Sequence, residues 1–362
     1  MKRRIFLNAL AGSLAVSSLP SRPALSQKVQ SGRHRLWPLW VAWREEYLRM
    51  SGRVVDVPQG RASHSEGQGY GMLLAAELGD EDAFRRMGDW TDANLAIRAD
   101  SLLAWRWQPD VPGRVADINN ASDGDLFYAW ALVRGAARFG EPHWRLRATK
   151  IAEDLARKCI AMRPDRPDQP VLLPAAHGFV DDSGIILNPS YMMPRALREV
   201  AEATGVTQLA LTAQAGLDLM SEIARVRLVP DWLKLTPSGI TNADNFSSNM
   251  GYEALRVPLF LAWSGERNHP ALLRAADAWR SALAQGSATQ TPTVLDADTG
   301  AVLETSGNQG YLAIAALVNC AVSRSTGSRM PAFTPYQPYY PGTLQMFAIL
   351  AQRAEYSSCL PI

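Results

Sequence analysis

The sequence predicts an all-α protein assembled from stacked helical hairpins, and three observations carry that expectation. Apolar residues recur at spacings of three and four along nearly the whole chain, the period of a helix that buries one face. Hydrophobic residues make up 47% of the 362 residues, enough to fill a large core. Short links alternate with long ones, which suits antiparallel helices whose long loops collect at one end. Hairpins recurring at intervals of roughly 50 to 60 residues can close into a toroid. No clean repeat in the sequence marks that closure.

Taken in order, residues 1–26 read as an export signal. Lys2-Arg3-Arg4 is a basic start, and residues 5–19 are an apolar run too short to span a bilayer. Ala24-Leu25-Ser26 offers small residues for cleavage. Arg3-Arg4-Ile5-Phe6-Leu7 also has the twin-arginine pattern, which implies export of folded protein; an ordinary secretory leader with two arginines is the other reading. No later stretch is apolar enough to span a membrane, so the mature chain is expected in the periplasm or secreted. Residues 27–362 are expected to form one domain, because no Pro/Gly/Ser-rich linker divides them.

Eleven helices are predicted, over 39–50, 70–78, 82–95, 126–139, 144–161, 191–204, 208–226, 252–263, 270–284, 309–319 and 342–354. Trp37, Trp40 and Trp43 lie at helical spacing around the first and read as core packing. The segments 98–120 and 162–189 are rich in Pro, Asp and Trp, and are expected to hold short strands or ordered loops. The net charge is only +2 and the Lys and Arg are scattered, which excludes the basic stripe that nucleic-acid binding needs. Cys159, Cys320 and Cys359 have no CxxC spacing, so neither a zinc site nor any other metal is expected, and no organic cofactor. One disulfide, or three buried or unpaired thiols, fit the cysteines equally; Cys159 falls in a helical pattern and reads as core.

Two short stretches carry the chemistry. Ser65-Glu66-Gly67-Gln68-Gly69-Tyr70-Gly71-Met72 places a carboxylate at a helix mouth. One reading is a capping box, with Ser65 as N-cap and Gln68 three residues on, and Glu66 favoured by the helix dipole. Three glycines in five residues then need a reason, since each costs roughly 1 kcal/mol in a helix interior. Something must approach the backbone closely: a sugar ring, or a neighbouring helix. Ala121-Ser122-Asp123-Gly124-Asp125 has the same ambiguity. Ser122 and Asp125 also match a capping box, and Asp123 is either a turn residue or an anionic site facing Glu66. Trp105 and Trp107, two apart in an extended stretch, can point the same way and offer flat faces to sugar rings. Plugging the core between loops is the other reading.

Together these stretches resemble glycoside hydrolase family 8. Further matches run in order through Gly52-Arg53-Val54-Val55-Asp56, Asn188-Pro189-Ser190-Tyr191, Gly251-Tyr252 with Ala254 and Arg256, Gly310-Tyr311 and Tyr339-Tyr340. The resemblance spans residues 35–355. It implies an (α/α)6 barrel with a glucan cleft across one mouth, and endo-acting hydrolysis of β-1,4-glucan with inversion. Its likeness to members that accompany bacterial cellulose synthesis implies trimming of glucan during synthesis and export, and allows a cellulose synthase complex as partner.

By the same resemblance Glu66 is the general acid and Asp123 holds the sugar at the cleavage subsite. Glu253, in Tyr252-Glu253-Ala254-Leu255-Arg256, stands where much of the family has an aspartate as general base. One extra methylene lengthens the arm, which a backbone shift can absorb. Asp123 ranks second as base, and Asp244 is a further alternative. Arg256, three residues beyond Glu253, is placed to steady that charge. Burial against Tyr70 and tryptophans is expected to raise the pKa of Glu66. Tyr70, Trp105, Trp107, Tyr191 and Arg256 are expected to bind substrate. Other readings are hydrolysis of chitosan, xylan or mixed-linkage glucan, and a glucan-binding protein without catalysis.

Overall fold

The computed structural model describes residues 34–286, 289–323 and 326–359, and the expected export signal lies outside them. Helices form where the apolar period placed them: α1 (Trp37–Tyr47), α2 (Ser65–Leu78), α3 (Glu81–Asn94), α4 (Ser122–Phe139), α5 (Pro142–Lys158) and α6 (Pro194–Thr204). They continue with α7 (Thr207–Ala224), α8 (Arg256–Trp263), α9 (Pro270–Gln285), α10 (Gln309–Ser323) and α11 (Tyr339–Glu355). The boundaries moved where local chemistry intervenes. Pro189–Tyr191 is a separate 3₁₀ turn, and α6 starts at Pro194, whose missing N–H and fixed φ suit a first helical turn. Residues 252–255 form a turn ahead of α8 rather than its first residues.

Helix contacts run from α2 to α4, α6, α8, α10 and α11 in turn, and α1 bridges α11 back to α2. The Trp43 indole donates to Thr343 Oγ1 at 3.0 Å, fastening α1 to α11. Helices α3, α5, α7 and α9 pack around this ring. Inside it, aromatic rings from α2, α4, α8 and α11 converge. Tyr70 meets Phe127 at 4.6 Å and Phe347 at 4.9 Å, and Trp263 meets Phe347 at 4.9 Å. Such contacts add to the area that each large ring buries. The result is the (α/α)6 barrel that the resemblance implied.

The glycines of the two motifs are explained by helix approach. A Cβ on Gly69 would lie 2.8 Å from Tyr128 N and 3.0 Å from Phe127 C, which are backbone atoms of α4. A Cβ on Gly124 would lie 2.1 Å from Ser65 Oγ and 2.7 Å from Glu66 N. So α2 and α4 cross with almost no side chain between them, and their first residues sit together.

Neither capping box forms. His64 and Ala121 are the N-caps, and neither uses its side chain to cap. Gln68 is instead buried, accepting from Val54 N at 2.6 Å and donating to Thr91 Oγ1 at 2.9 Å, which ties the loop before α2 and helix α3 to α2. Ser122 Oγ donates to Leu173 O at 2.5 Å. Asp125 accepts from Leu103 N at 2.7 Å and Asn120 Nδ2 at 2.9 Å, anchoring the long loop before α4. In each case a buried polar partner outcompetes the local cap.

The two long segments do hold short strands. β1 (Ser63–His64) pairs antiparallel with β2 (Arg106–Trp107). β3 (Ile160–Met162) pairs with β4 (Pro170–Leu172), ending the predicted 144–161 helix early. β5 (Val180–Asp181), β6 (Gly184–Leu187), β7 (Leu233–Thr236) and β8 (Gly239–Thr241) form one antiparallel sheet, and β9 (Thr291–Leu295) pairs with β10 (Val302–Ser306). Cys320 and Cys359 form a disulfide, and Cys159 is buried and unpaired in the core. Trp40 and Trp43 are fully buried, as core packing requires. Among the described residues no helix is long and apolar enough to cross a membrane.

The glycine contacts predict opposite outcomes for two alanine substitutions. Gly69→Ala drives a methyl into backbone and should cost about 1–3 kcal/mol by overpacking. Gly88→Ala, within α3, meets only Met72 Cε at 3.5 Å, so helix propensity should leave it neutral or stabilised by up to about 1 kcal/mol. Melting temperatures of the two variants decide it, and equal shifts would refute the close crossing.

Candidate active site

A cleft of ≈ 380 Å³ opens where the ring helices begin. Each contributes from its N-terminal end. Glu66 comes from α2, Asp123 from α4, Tyr191 from the turn before α6, Glu253 from the turn before α8, Tyr311 from α10, and Tyr339 and Tyr340 from α11. Free N–H groups and the positive ends of the helix dipoles meet there, a setting that favours carboxylates.

One guanidinium organises the charges. Arg256 is buried, and its Nη1 donates to Glu66 Oε2 at 2.5 Å and to Asp123 Oδ2 at 3.1 Å. Its Nη2 pairs with Glu253 Oε2 and donates to Ser190 Oγ at 2.8 Å. Arg256 Nη1 also reaches Tyr70 Oη at 3.3 Å. The planar fork of arginine suits such multiple contacts. Three carboxylates from three elements therefore share one cation. Asn188 Nδ2 donates to Glu253 Oε2 at 3.0 Å, and Asn188 Oδ1 accepts from Ser190 Oγ at 2.6 Å, extending the network.

The environments of the three acids differ. The Glu66 side chain is 20% exposed, Asp123 4% and Glu253 38%. Burial pushes the Glu66 carboxyl up to about 8; Asp123 and Glu253 add to the rise, and Arg256 opposes it. Asp123 is raised too, to about 6, again by burial first, with Arg256 and the Gly124 N–H pulling it back. Burial thus favours the protonated form of Glu66. A proton donor and an accessible carboxylate across one small cleft fit the protonation of a leaving oxygen and the activation of water on the far side of a bond.

The predicted residues divide by place. Glu66, Asp123, Trp105, Tyr191 and Glu253 line the cleft. Trp105 stacks on His64, with ring centroids 6.0 Å apart, and Arg106 lies over it at 4.2 Å. Tyr70 lies beneath the cleft, fully buried between Phe127 and Phe347. Trp107 turns away from Trp105: its ring meets the edge of Trp90 at 5.8 Å, and Arg53 stacks on it at 4.6 Å. Asp244 is exposed on a loop and does not line the cleft. Arg256 was expected to steady Glu253 and to bind substrate; it is buried and does not line the cleft, and of its acid partners the i, i+3 spacing shows only Glu253, since the other two come from 133 and 190 residues away in sequence. Asn188 and Ser190 were legible as a motif but not as the support of Glu253.

Comparison with known proteins fits this geometry. The model of glycosyl hydrolases family 8 matches residues 24–354. The chain belongs to that family. A probable endoglucanase of Novacetimonas hansenii is 34% identical over 324 residues, covering 87% of this chain and 90% of the relative. An endoglucanase of Cellulomonas uda is 31% identical over 278 residues, covering 76% of this chain and 75% of its own. The solved endo-β-1,4-glucanase CMCax of Acetobacter xylinum superposes with a TM-score of 0.79 at 33% identity, over 88% of this chain and 98% of that one. In this family 8 chain, then, the carboxylate cluster lies in a barrel shared along nearly its whole length with solved relatives.

Arg256→Met leaves three carboxylates around an empty centre. Removing one partner of a buried charge cluster should cost about 3–5 kcal/mol. Without the cation the raised folded-state pKa values of Glu66 and Asp123 rise further above the unfolded values of about 4, so the folded form holds protons that the unfolded form releases. Stability then falls as pH rises from about 4. The melting temperature of the variant should trail the wild type by clearly more at pH 8 than at pH 5, and a gap independent of pH would refute the shared-cation account.

The two tryptophans should separate in a second pair of variants. Trp105→Ala is expected to weaken oligosaccharide binding, read by calorimetry, with little change in melting temperature. Trp107→Ala should leave affinity intact and lower stability, by up to about 3 kcal/mol for a half-buried ring. The reverse pattern would remove Trp105 from the cleft wall in function.

Proposed function

We propose that this chain is an endo-acting β-1,4-glucanase that hydrolyses its substrate with inversion. The observation that carries the reading is the pairing, across one cleft, of a largely buried carboxyl whose protonated form burial favours with a more exposed one, both tied to Arg256. The relatives named endoglucanase and endo-β-1,4-glucanase support the substrate. Protonated Glu66 gives its proton to the glycosidic oxygen, and that C–O bond breaks. Water attacks the anomeric carbon from the opposite face, and Glu253 takes the proton it releases. Asp123 accepts from hydroxyls of the sugar at the cleavage point, with Gly124 N and Arg256 holding it ionised. Glu253 is preferred over Asp123 as base because its side chain is the more exposed to arriving water. The reading of residues 1–26 as an export signal supports a reaction in the periplasm or outside the cell, and the substrate proposed there is a β-1,4-glucan chain emerging from a cellulose synthase complex. The Cys320–Cys359 disulfide suits that oxidising compartment.

The reading predicts that NMR of fresh products shows the α-anomer first; a β-anomer would mean a glycosyl-enzyme intermediate and overturn it. Glu66→Gln should nearly abolish hydrolysis while retaining oligosaccharide binding. Glu253→Gln should cost about 10²–10⁴-fold in kcat, and Glu253→Asp less than about tenfold. Because Glu66 must be protonated, wild-type activity should fall as pH rises through about 8. Near-normal turnover in Glu253→Gln would transfer the base role to Asp123. Reducing-sugar release from carboxymethylcellulose, chitosan and xylan separates the glucanase from the other substrates and from a protein that only binds.

A further inference from the structure

Glu253 stands in no helix or strand, yet the backbone of its turn is held by one carboxylate. Asp231 Oδ1 accepts three N–H groups of the turn: Gly251 at 3.0 Å, Glu253 at 3.1 Å and Ala254 at 2.8 Å. Asp231 Oδ2 accepts from Ser247 Oγ at 2.9 Å. The residue is buried and makes no ion pair with any Lys or Arg among the described residues. Gly251 has no side chain for a direct reason: a Cβ there would lie 2.4 Å from Asp231 Oδ2. The sheet explains how both supports of Glu253 arrive together. Leu187 in β6 pairs with Leu233 in β7, so Asn188, just past the end of β6, and Asp231, two residues ahead of β7, emerge side by side. Asn188 grips the Glu253 carboxylate while Asp231 grips its backbone.

We infer that Asp231 is a positioning residue for the reaction: it sets the turn that aims the Glu253 carboxylate, with the β5–β8 sheet as the clamp. The inference rests on Glu253 acting as the base. Asp231 touches no substrate and acts only through the place it gives Glu253. A longer side chain than aspartate at the base position needs such a fixed backbone, because its extra rotatable bond otherwise spreads the carboxylate over several positions. A misplacement of about 1 Å can cost on the order of 100-fold.

The test is a double-mutant cycle in the full chain, with a soluble β-1,4-gluco-oligosaccharide as substrate. Asp231→Ala should lower kcat about 10- to 100-fold with KM within about threefold. Asp231→Asn, which keeps an acceptor for the three N–H groups, should recover most of that loss and guards against a variant that fails to fold. Gly251→Ala, which displaces the carboxylate, should behave like Asp231→Ala. In a Glu253→Gln background the Asp231 substitutions should cost little more, because the group they position is already disabled. The proposal is overturned if Asp231→Ala lowers the melting temperature but leaves kcat alone, or if its loss of kcat persists in full on top of Glu253→Gln. Normal turnover by Glu253→Gln alone is a different failure: it removes the base assignment, whatever the Asp231 variants do.

Discussion

Everything in the cleft depends on one buried guanidinium. Without Arg256, the mouth of the barrel would bring Glu66, Asp123 and Glu253 together with no Lys or Arg paired to them among the described residues. With it, each carboxyl is held without being fully neutralised. That balance lets burial favour the protonated form of Glu66, while Glu253 stays the more open of the two to solvent. A salt bridge of this kind is weak evidence for stability, since desolvation offsets most of its attraction. Its value here lies in geometry: it fixes three acids from three separate elements at one point.

The crossing of α2 and α4 supplies the other constraint. Two helices that pack through glycine bring their backbones close and so bring their first residues close. Gly69 and Gly124 thereby set how far apart Glu66 and Asp123 stand, although neither glycine lines the cleft. Motif and core are the same residues seen from two sides. The sequence left a sugar ring and a neighbouring helix as the bodies that could approach these glycines, and at Gly69 and Gly124 it is the neighbouring helix.

Much of this was legible in sequence, for a physical reason. Helices with one buried face leave a period of three and four, and all eleven were visible that way. The short motifs around Glu66 and Asp123 stood out because glycine is unfavourable in helices and needs a cause. What the sequence hid were long-range partners. Gln68 and Asp125 carry the spacing of local caps, and only the fold shows that Thr91 and Leu103 claim them instead. Tyr70 belongs to the Glu66 motif and Trp107 to a Trp-containing loop, but helix phase turns Tyr70 into the core and the β1–β2 pairing accompanies a Trp107 packed on Trp90. Asp231 lay in no motif at all, because most of its partners are backbone amides, which leave no mark on composition.

The gathering of six helix N-termini has a consequence for how such an enzyme can diversify. Each ring helix hands one or two side chains to the rim and keeps the rest for the core. The rim is therefore divided into sectors, each joined to its own preceding loop. Lengthening one loop costs only the slow logarithm of its size in closure entropy and leaves the barrel packing as it was. A new wall for a longer or differently branched glucan can be added in one sector at a time, while the acids fastened to Arg256 stay in register.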